Sequence, residues 1–419
     1  MQPKDNQIKS SFKKEKFEMR RKKVLKLLLT GKIKLYPQFD LRKDWPTHPL
    51  IVWIRKQIIP IINKLTKQTN FLFDPQDLEH QILFRLTTFA PSELFKKGSI
   101  LEEYFEKFGV YENWQKIPLL DLDFISKFKL RREIIFPIIE EQFLIIQKRM
   151  NKNNLPRNLI FSGIKGFSEI FTTKEKERYV LKWENICGKT HLIAAKINSN
   201  GETIKSFFVK FKKVRKDIGR KFIRELHYIH TPRFKEEIFG LFLEKSKFPF
   251  AIQLVTWAKN SPKFRQDALL LKGFNPENCI ELRRLYTWPG SPRNVIGVLD
   301  RLIINYYKKL HKNIEAVTTT VMPMYAKTRS TTIASGIDQI LYVRSLEHKF
   351  ICKRINSKKV WEHIIPPSQK WLKIHQHKII KTHPKFPMYP TIGVFKQVNK
   401  KSFSESSWIK GKIIGFNFK

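Results

Sequence analysis

The residues best placed for chemistry lie between Cys279 and Ile337. Ser291, Arg293 and Asn294 sit at the junction between a turn cluster, Trp288-Pro289-Gly290-Ser291-Pro292, and an apolar repeat. In that repeat Val295, Leu299, Leu302, Ile303 and Tyr306 recur at three- and four-residue spacing. The spacing predicts an amphipathic helix, with Asn294 as its cap. Before it, Ile280 to Thr287 is β-branched and aromatic with Arg283 and Arg284 at its centre, and after it Ala316 to Met322 is a second β-rich run. A helix that starts just beyond a strand end presents unpaired backbone N–H groups, which suit a phosphate or pyrophosphate. The same pattern also fits an ordinary βαβ piece of core.

Other constellations carry less. Gly188-Lys189-Thr190 has the end of a phosphate-loop motif, but position 183, where that motif needs glycine, is Trp183. Glu140 and Glu141 are adjacent, and adjacent helix positions point apart. His363, His375 and His377 have no carboxylate or cysteine at ligand spacing, so no metal is expected. Cys187, Cys279 and Cys352 are far apart, with no Cys-x-x-Cys pair. That usage points to a reducing compartment, the cytoplasm, and excludes a disulfide scaffold. The first forty residues show no signal-peptide hydrophobic stretch, and Asp5, Glu15 and Glu18 interrupt what a presequence would keep free of acids. No apolar run reaches the roughly 18–20 residues that span a bilayer, so no transmembrane segment is expected.

Charge sets the partner. Across 419 residues, 81 Lys and Arg face 37 Asp and Glu, a formal net charge of +44. Such an excess calls for a polyanion, nucleic acid first and an anionic membrane surface second. Lys13, Lys14, Arg20, Arg21, Lys22 and Lys23 lead into the apolar residues Val24, Leu25 and Leu27 to Leu29. This basic face fits either a helix lying on phosphates or a solvated surface helix. A second basic run holds Lys212, Lys213, Arg215, Lys216, Arg220 and Lys221, just after Phe207, Phe208 and Phe211. There the lysines are expected on phosphates and the phenylalanines in the core.

The elements around these residues fall into four parts. Residues 1–39 form a basic arm, and 40–150 read as a mostly helical accessory domain. Asn151 to Pro156 is a linker. From 157 the texture turns to strands. Arg178 to Trp183 alternates, and His191 to Ile197 with Thr203 to Phe211 forms a hairpin across Asn198-Ser199-Asn200-Gly201. Short strands follow at Ile238 to Glu244 and Phe248 to Val255, and a charged loop leads to Cys279. Residues 157–344 make one mixed α+β domain. Residues 345–419 are a basic C-terminal extension packed irregularly over it, with a plausible edge strand near Ile413.

Four stretches carry a family likeness: Leu226-His227-Tyr228 before a hairpin, Glu281-Leu282-Arg283-Arg284-Leu285, Ser291-Pro292-Arg293-Asn294 opening a helix, and a strand ending in Pro323. Together they resemble the Mom-type phage DNA-modification proteins of the acetyltransferase-like fold, over about residues 220–340. The resemblance implies a mixed acetyltransferase-like sheet whose post-strand loop and helix start, at Ser291, Arg293 and Asn294, face a donor. It also implies modification of the exocyclic amine of adenine in DNA. His227, Tyr228 and Arg284 match positions that would line the site. Acyl transfer to an amine needs a base and an acid. His227, Tyr228 and Tyr325 are the candidates, with Arg284 available to stabilise developing negative charge. Arg283 and Arg284 point to opposite faces of a strand, and the resemblance selects Arg284.

The chain also departs from that family. In a gapless reading the family's Asp falls on Met322, its Gly-His-x-Gly step on Ala326-Lys327-Thr328-Arg329, and a downstream Tyr on Thr332. The acetyl-CoA signature Arg/Gln-x-x-Gly-x-Gly/Ala is absent, and Gly290 to Gly297 is a loose substitute. An acyl donor is therefore implied, and acetyl-CoA is not. The expectation is an α+β nucleic-acid-binding transferase acting on a nucleobase amine, with DNA favoured over RNA. The alternatives are a non-catalytic DNA- or RNA-binding protein on the same fold and a structural ribonucleoprotein component.

Overall fold

A computed structural model describes residues 3–38, 163–171, 179–227, 236–288, 290–321, 334–344, 347–355, 358–364, 381–387 and 391–416, with single positions at 56, 59, 60 and 332. Apart from residues 56, 59 and 60, the expected helical domain at 40–150 lies outside the described residues, as do the linker after it and the histidines at 375 and 377.

Helix α1 (Pro3–Leu29) leads into β1 (Ile33–Pro37). A short helix α2 (Phe167–Phe171) precedes the strands β2 (Val180–Ile186), β3 (Lys189–Ile197) and β4 (Thr203–Lys213). Helix α3 (Lys216–Leu226), β5 (Glu237–Leu243) and β6 (Ala251–Trp257) follow, then helix α4 (Lys263–Leu271). The central unit is β7 (Cys279–Thr287), helix α5 (Val295–Leu310) and β8 (Ala316–Val321). After it come β9 (Gln339–Arg344), β10 (Glu347–Ile355), β11 (Lys358–Ile364), β12 (Lys381–Pro387), β13 (Thr391–Gln397) and β14 (Lys412–Phe416).

Eleven strands form one mixed sheet in the order β1-β14-β9-β13-β8-β7-β6-β5-β4-β3-β2. Its neighbours are antiparallel except for β7 with β8 and β14 with β9. The architecture is α+β. A separate antiparallel sheet runs β11-β10-β12. No helix among the described residues is long and apolar enough to cross a membrane.

Helices cover both faces. On one, Tyr306 and Tyr307 of α5 lay their rings edge-on to Phe239, and Trp257 stands against Tyr307. Ile238 is the next residue along β5 and so points to the other face, where Gly219 of α3 approaches it. A Cβ at Gly219 would lie 2.5 Å from the Ile238 side chain, so only glycine lets this helix sit so close. The β14–β9–β13–β8 half has its own core, in which Val24 of α1 and Leu269 and Leu271 of α4 pack with Tyr342, Phe395 and Phe416.

Three local readings change. The basic run after Val214 is a helix, α3, whose Phe222, Ile223 and Leu226 are buried at helical spacing. The charged loop contains α4, in which Asp267 to Leu271 are all buried. The stretch read as a C-terminal extension supplies β13 to the middle of the sheet, between β8 and β9, and β14 next to β1. β13 is buried on both faces over its first five residues, so it lacks the alternation that marks a half-exposed strand.

Candidate functional site

The sheet opens between β7 and β8. These two parallel strands pair from Cys279 with Ala316 to Leu282 with Thr319. Beyond that point β7 runs on to Thr287 beside β6, while β8 continues beside β13. The divergence has a local cause. Gln253 of β6 pairs with Leu285 and Val255 with Leu282, so Leu254 alone faces both Arg283 and Arg284. This is a β-bulge, which bends a strand and increases its twist. Side chains fix the point of departure: the Gln253 amide donates to the Arg283 carbonyl, and Thr319 Oγ1 donates to the Leu282 carbonyl at 2.9 Å. Arg283 to Leu285 and Thr319 and Thr320 are half-buried, although they lie mid-sheet between buried neighbours.

The two bulge arginines have different surroundings. The Arg283 guanidinium reaches Glu236 at 3.2 Å, Ser261 Oγ at 3.2 Å and Glu281 at 3.1 Å. Glu281 also accepts from Arg265 and Ser261. Glu281 is 1% exposed and Glu236 4%, so this is a buried ionic network. Sequence reading missed Glu236, Ser261 and Arg265, which lie just before β5, just before α4 and within α4. The available signal was Glu281, a carboxylate inside an apolar strand. Arg284 remains as the half-buried arginine at the opening.

The loop after β7 is firmly set. The Arg293 N–H donates to the Tyr179 carbonyl at 2.7 Å and the Leu181 N–H to the Arg293 carbonyl at 3.0 Å, tying the loop to the start of β2. The Ser291 hydroxyl donates to the Trp288 carbonyl at 2.6 Å and closes a turn. Asn294 differs from expectation. It adopts φ 67° and its side chain makes no capping bond, because a left-handed residue turns its side chain away from the first-turn N–H groups. The first turn of α5 has no acid, and exposed Arg293 precedes it. The helix start is therefore electropositive. Gly290 has φ 77°, and a Cβ there would lie 2.4 Å from the Phe171 carbonyl oxygen. Gly290→Ala is expected to lower stability by about 1–2 kcal/mol from the left-handed backbone alone, with the contact adding to it. A urea melt beside the wild type measures it.

The remaining site residues disperse. His227 is buried just beyond α3, where its N–H caps the Ile223 carbonyl at 3.2 Å. Tyr228, Tyr325, Met322 and Lys327 lie outside the described residues, and Thr332 is buried. Lys13 lies within α1, and Lys14, Lys22 and Lys23 are exposed. Arg20 instead donates to Gln266 and Asp267, each at 2.7 Å, and Arg21 is buried against the Ser404 carbonyl and the Phe403 ring. These two arginines dock α1 onto α4 and onto the loop between β13 and β14. In the second run Lys212, Lys216 and Lys221 are exposed and Arg220 is half-buried.

Lys213 and Arg215 have carboxylate partners. Lys213 pairs with Glu237, which also accepts from the Tyr307 hydroxyl. Burial would raise the Glu237 carboxyl, yet the Lys213 and Tyr307 hydrogen bonds and the charge of Lys213 hold it below its ordinary range. Burial pushes the Tyr307 hydroxyl up, and Glu237 adds to that shift. Arg215 pairs with Asp217 at 2.6 Å, a hydrogen bond that pulls the exposed Asp217 carboxyl down to about 2. Among the described residues, no group of three His, Cys, Asp or Glu side chains could hold a metal ion.

Compared with models of known protein families and with curated proteins, the chain matches none.

Proposed function

We propose that the protein binds nucleic acid and transfers an acyl-type group to the exocyclic amine of a nucleobase, adenine in DNA, on an acetyltransferase-like sheet. The observation that carries this reading is the divergence of β7 and β8. Among the described residues, β7 beyond Leu282 is paired on its β6 side only, so its other edge can receive an extended, amide-bearing donor. The crossover helix α5 starts after the carboxyl end of β7, where ligands of α/β units bind. Its uncapped, acid-free first turn beside Arg293 suits the phosphate of such a donor. The net charge of +44 suits the polyanionic acceptor.

In the reaction the base nitrogen attacks the acyl carbon and a new C–N bond forms. The bond from that carbon to the donor's leaving atom breaks, and the amine proton passes through a general base to the leaving group. Arg284, half-buried at the opening, would stabilise the negative charge that develops on the acyl oxygen. The resemblance places His227 and Tyr228 at the site, and Tyr325 is the further candidate for carrying the proton. One observation favours a second reading, a nucleic-acid binder without catalysis: His227 is buried at a helix end.

Nucleoside mass spectrometry separates the two. DNA and RNA from cells making the protein are compared with material from cells making a Tyr228→Phe, Arg284→Ala double variant. A new adenine-derived mass that disappears with the variant is the expected result. Unmodified nucleosides, with salt-sensitive binding intact in both proteins, would instead establish the binder.

A further inference from the structure

β4 is an interior strand with a free face. It pairs with β3 from Thr203 to Phe208 and with β5 from Val209 to Lys213. Side chains alternate across a strand. Phe207, Val209 and Phe211 point one way, Val209 buried and the two rings half-buried; Phe211 stacks on Phe239 at 5.6 Å with 7° between the rings. Ile204, Ser206, Phe208, Lys210 and Lys212 point the other way, and all five are exposed. Ile204 is 63% and Phe208 37% exposed, on the same face as two lysines.

The cations and the ring form a graded strip. His191 of β3 meets the Phe208 ring in a T-shaped contact at 5.2 Å, and Phe208 remains 37% exposed. Lys210 and Lys212 follow at same-face intervals of about 7 Å. Lys210 makes an exposed pair with Glu244 at 3.0 Å, and Lys212 lies 5.8 Å from the Phe242 ring centre. An exposed pair of this kind contributes little, so a phosphate can displace it.

We propose that this face of β4 binds single-stranded DNA, with one base stacked on Phe208 and the backbone phosphates on Lys210 and Lys212. The ring selects a single strand. Bases in a duplex already stack on one another, whereas an unpaired base has a free π-face for an aromatic side chain. The lysines and the overall excess of positive charge match the phosphates. DNA is the occupant because the inference rests on the reading above, in which a DNA base must leave its stack before its amine can react. The expectation that Phe207, Phe208 and Phe211 all lie in the core fails at Phe208, because adjacent residues face opposite sides of a strand.

Fluorescence anisotropy of the full chain tests the proposal. The probes are a labelled single-stranded DNA oligonucleotide, its duplex and the RNA of the same sequence. Phe208→Ala is expected to weaken single-strand DNA binding about 10-fold and leave the duplex unchanged, and Phe208→Tyr to restore it. Should Phe208→Ala fail to fold, Lys212→Ala carries the test, with the log–log salt slope for the single strand expected to fall by about 1. Salt-sensitive binding that ignores Phe208, or that loses the same factor on the duplex, overturns this site and leaves nucleic-acid binding standing. Tenfold tighter binding of the RNA overturns the choice of DNA. No binding to any probe overturns both this proposal and the reading on which it rests.

Discussion

Replacing Arg283 by alanine is expected to remove about 3–5 kcal/mol of stability, because it strips one cation from two buried carboxylates. Glu236 and Glu281 each have a side chain 2% exposed and the Arg283 side chain is 6% exposed, so water cannot take over the missing hydrogen bonds. Arg265 and Ser261 still reach Glu281, while Glu236 loses its contact with Arg283. Arg283→Lys should recover only part of the loss, since an ammonium cannot span Glu236, Ser261 and Glu281 as the planar guanidinium does. Adding Glu236→Gln to Arg283→Ala should be less damaging than the two single losses summed, because it removes the charge left behind. Urea midpoints of the wild type, the three single variants and the double variant measure this. Equal stability of Arg283→Ala and wild type would show that the network contributes nothing to the fold.

The second large effect depends on pH. Asp300 of α5 is buried and accepts a hydrogen bond from Ser335 Oγ, across the contact between α5 and the stretch before β9. Burial pushes its carboxyl up to about 7, and the Ser335 hydroxyl, which favours the charged form, offsets only part of that. Nearby, Arg301 donates to the Ala334 carbonyl and Lys396 to the Ser335 carbonyl, so neither cation is directed at the carboxylate. A carboxyl whose folded pKa lies above its unfolded one binds more protons in the native state. Its contribution is complete below about pH 4 and lost as pH rises through about 7. Asp300→Asn keeps the shape and removes the titration. Its stability relative to wild type should rise by roughly 3 kcal/mol between about pH 5 and about pH 8. Denaturation at the two pH values measures the difference, and a constant gap between the proteins would refute it.

The sequence made the β7–α5–β8 unit readable because each piece has a strong local pattern. Cys279 to Thr287 is β-branched and aromatic, α5 repeats its apolar residues every three or four positions, and a turn cluster divides them. The β3–β4 hairpin was readable from Asn198 to Gly201 and the alternation around it. What escaped was non-local. Leu254 facing two arginines is a property of a strand pair, so no inspection of Arg283 and Arg284 alone reveals the bulge. Strict alternation predicted that the two arginines diverge, but which of them enters an ionic network depends on Glu236, 47 positions away. Asn294 was read as a cap from residue type, whereas the turn before α5 requires a left-handed residue there. β13 was missed because both of its faces are buried and its sequence reads as a short apolar run.

The position of β13 bears on how the protein is made. β8 carries one wall of the opening, yet its outer neighbour begins at Thr391, after the small sheet built from β10, β11 and β12 has been translated. β1 waits longer still, since its partner β14 starts at Lys412. Until those segments leave the ribosome, the growing chain presents the bare edges of β8 and β1, ready to pair with whatever strand comes near. Long sequence separation between pairing strands slows folding and prolongs that exposure. Synthesis therefore delivers β2 to β8 early and the strands that complete their sheet late, so β8 gains its outer neighbour only once β13 has been made.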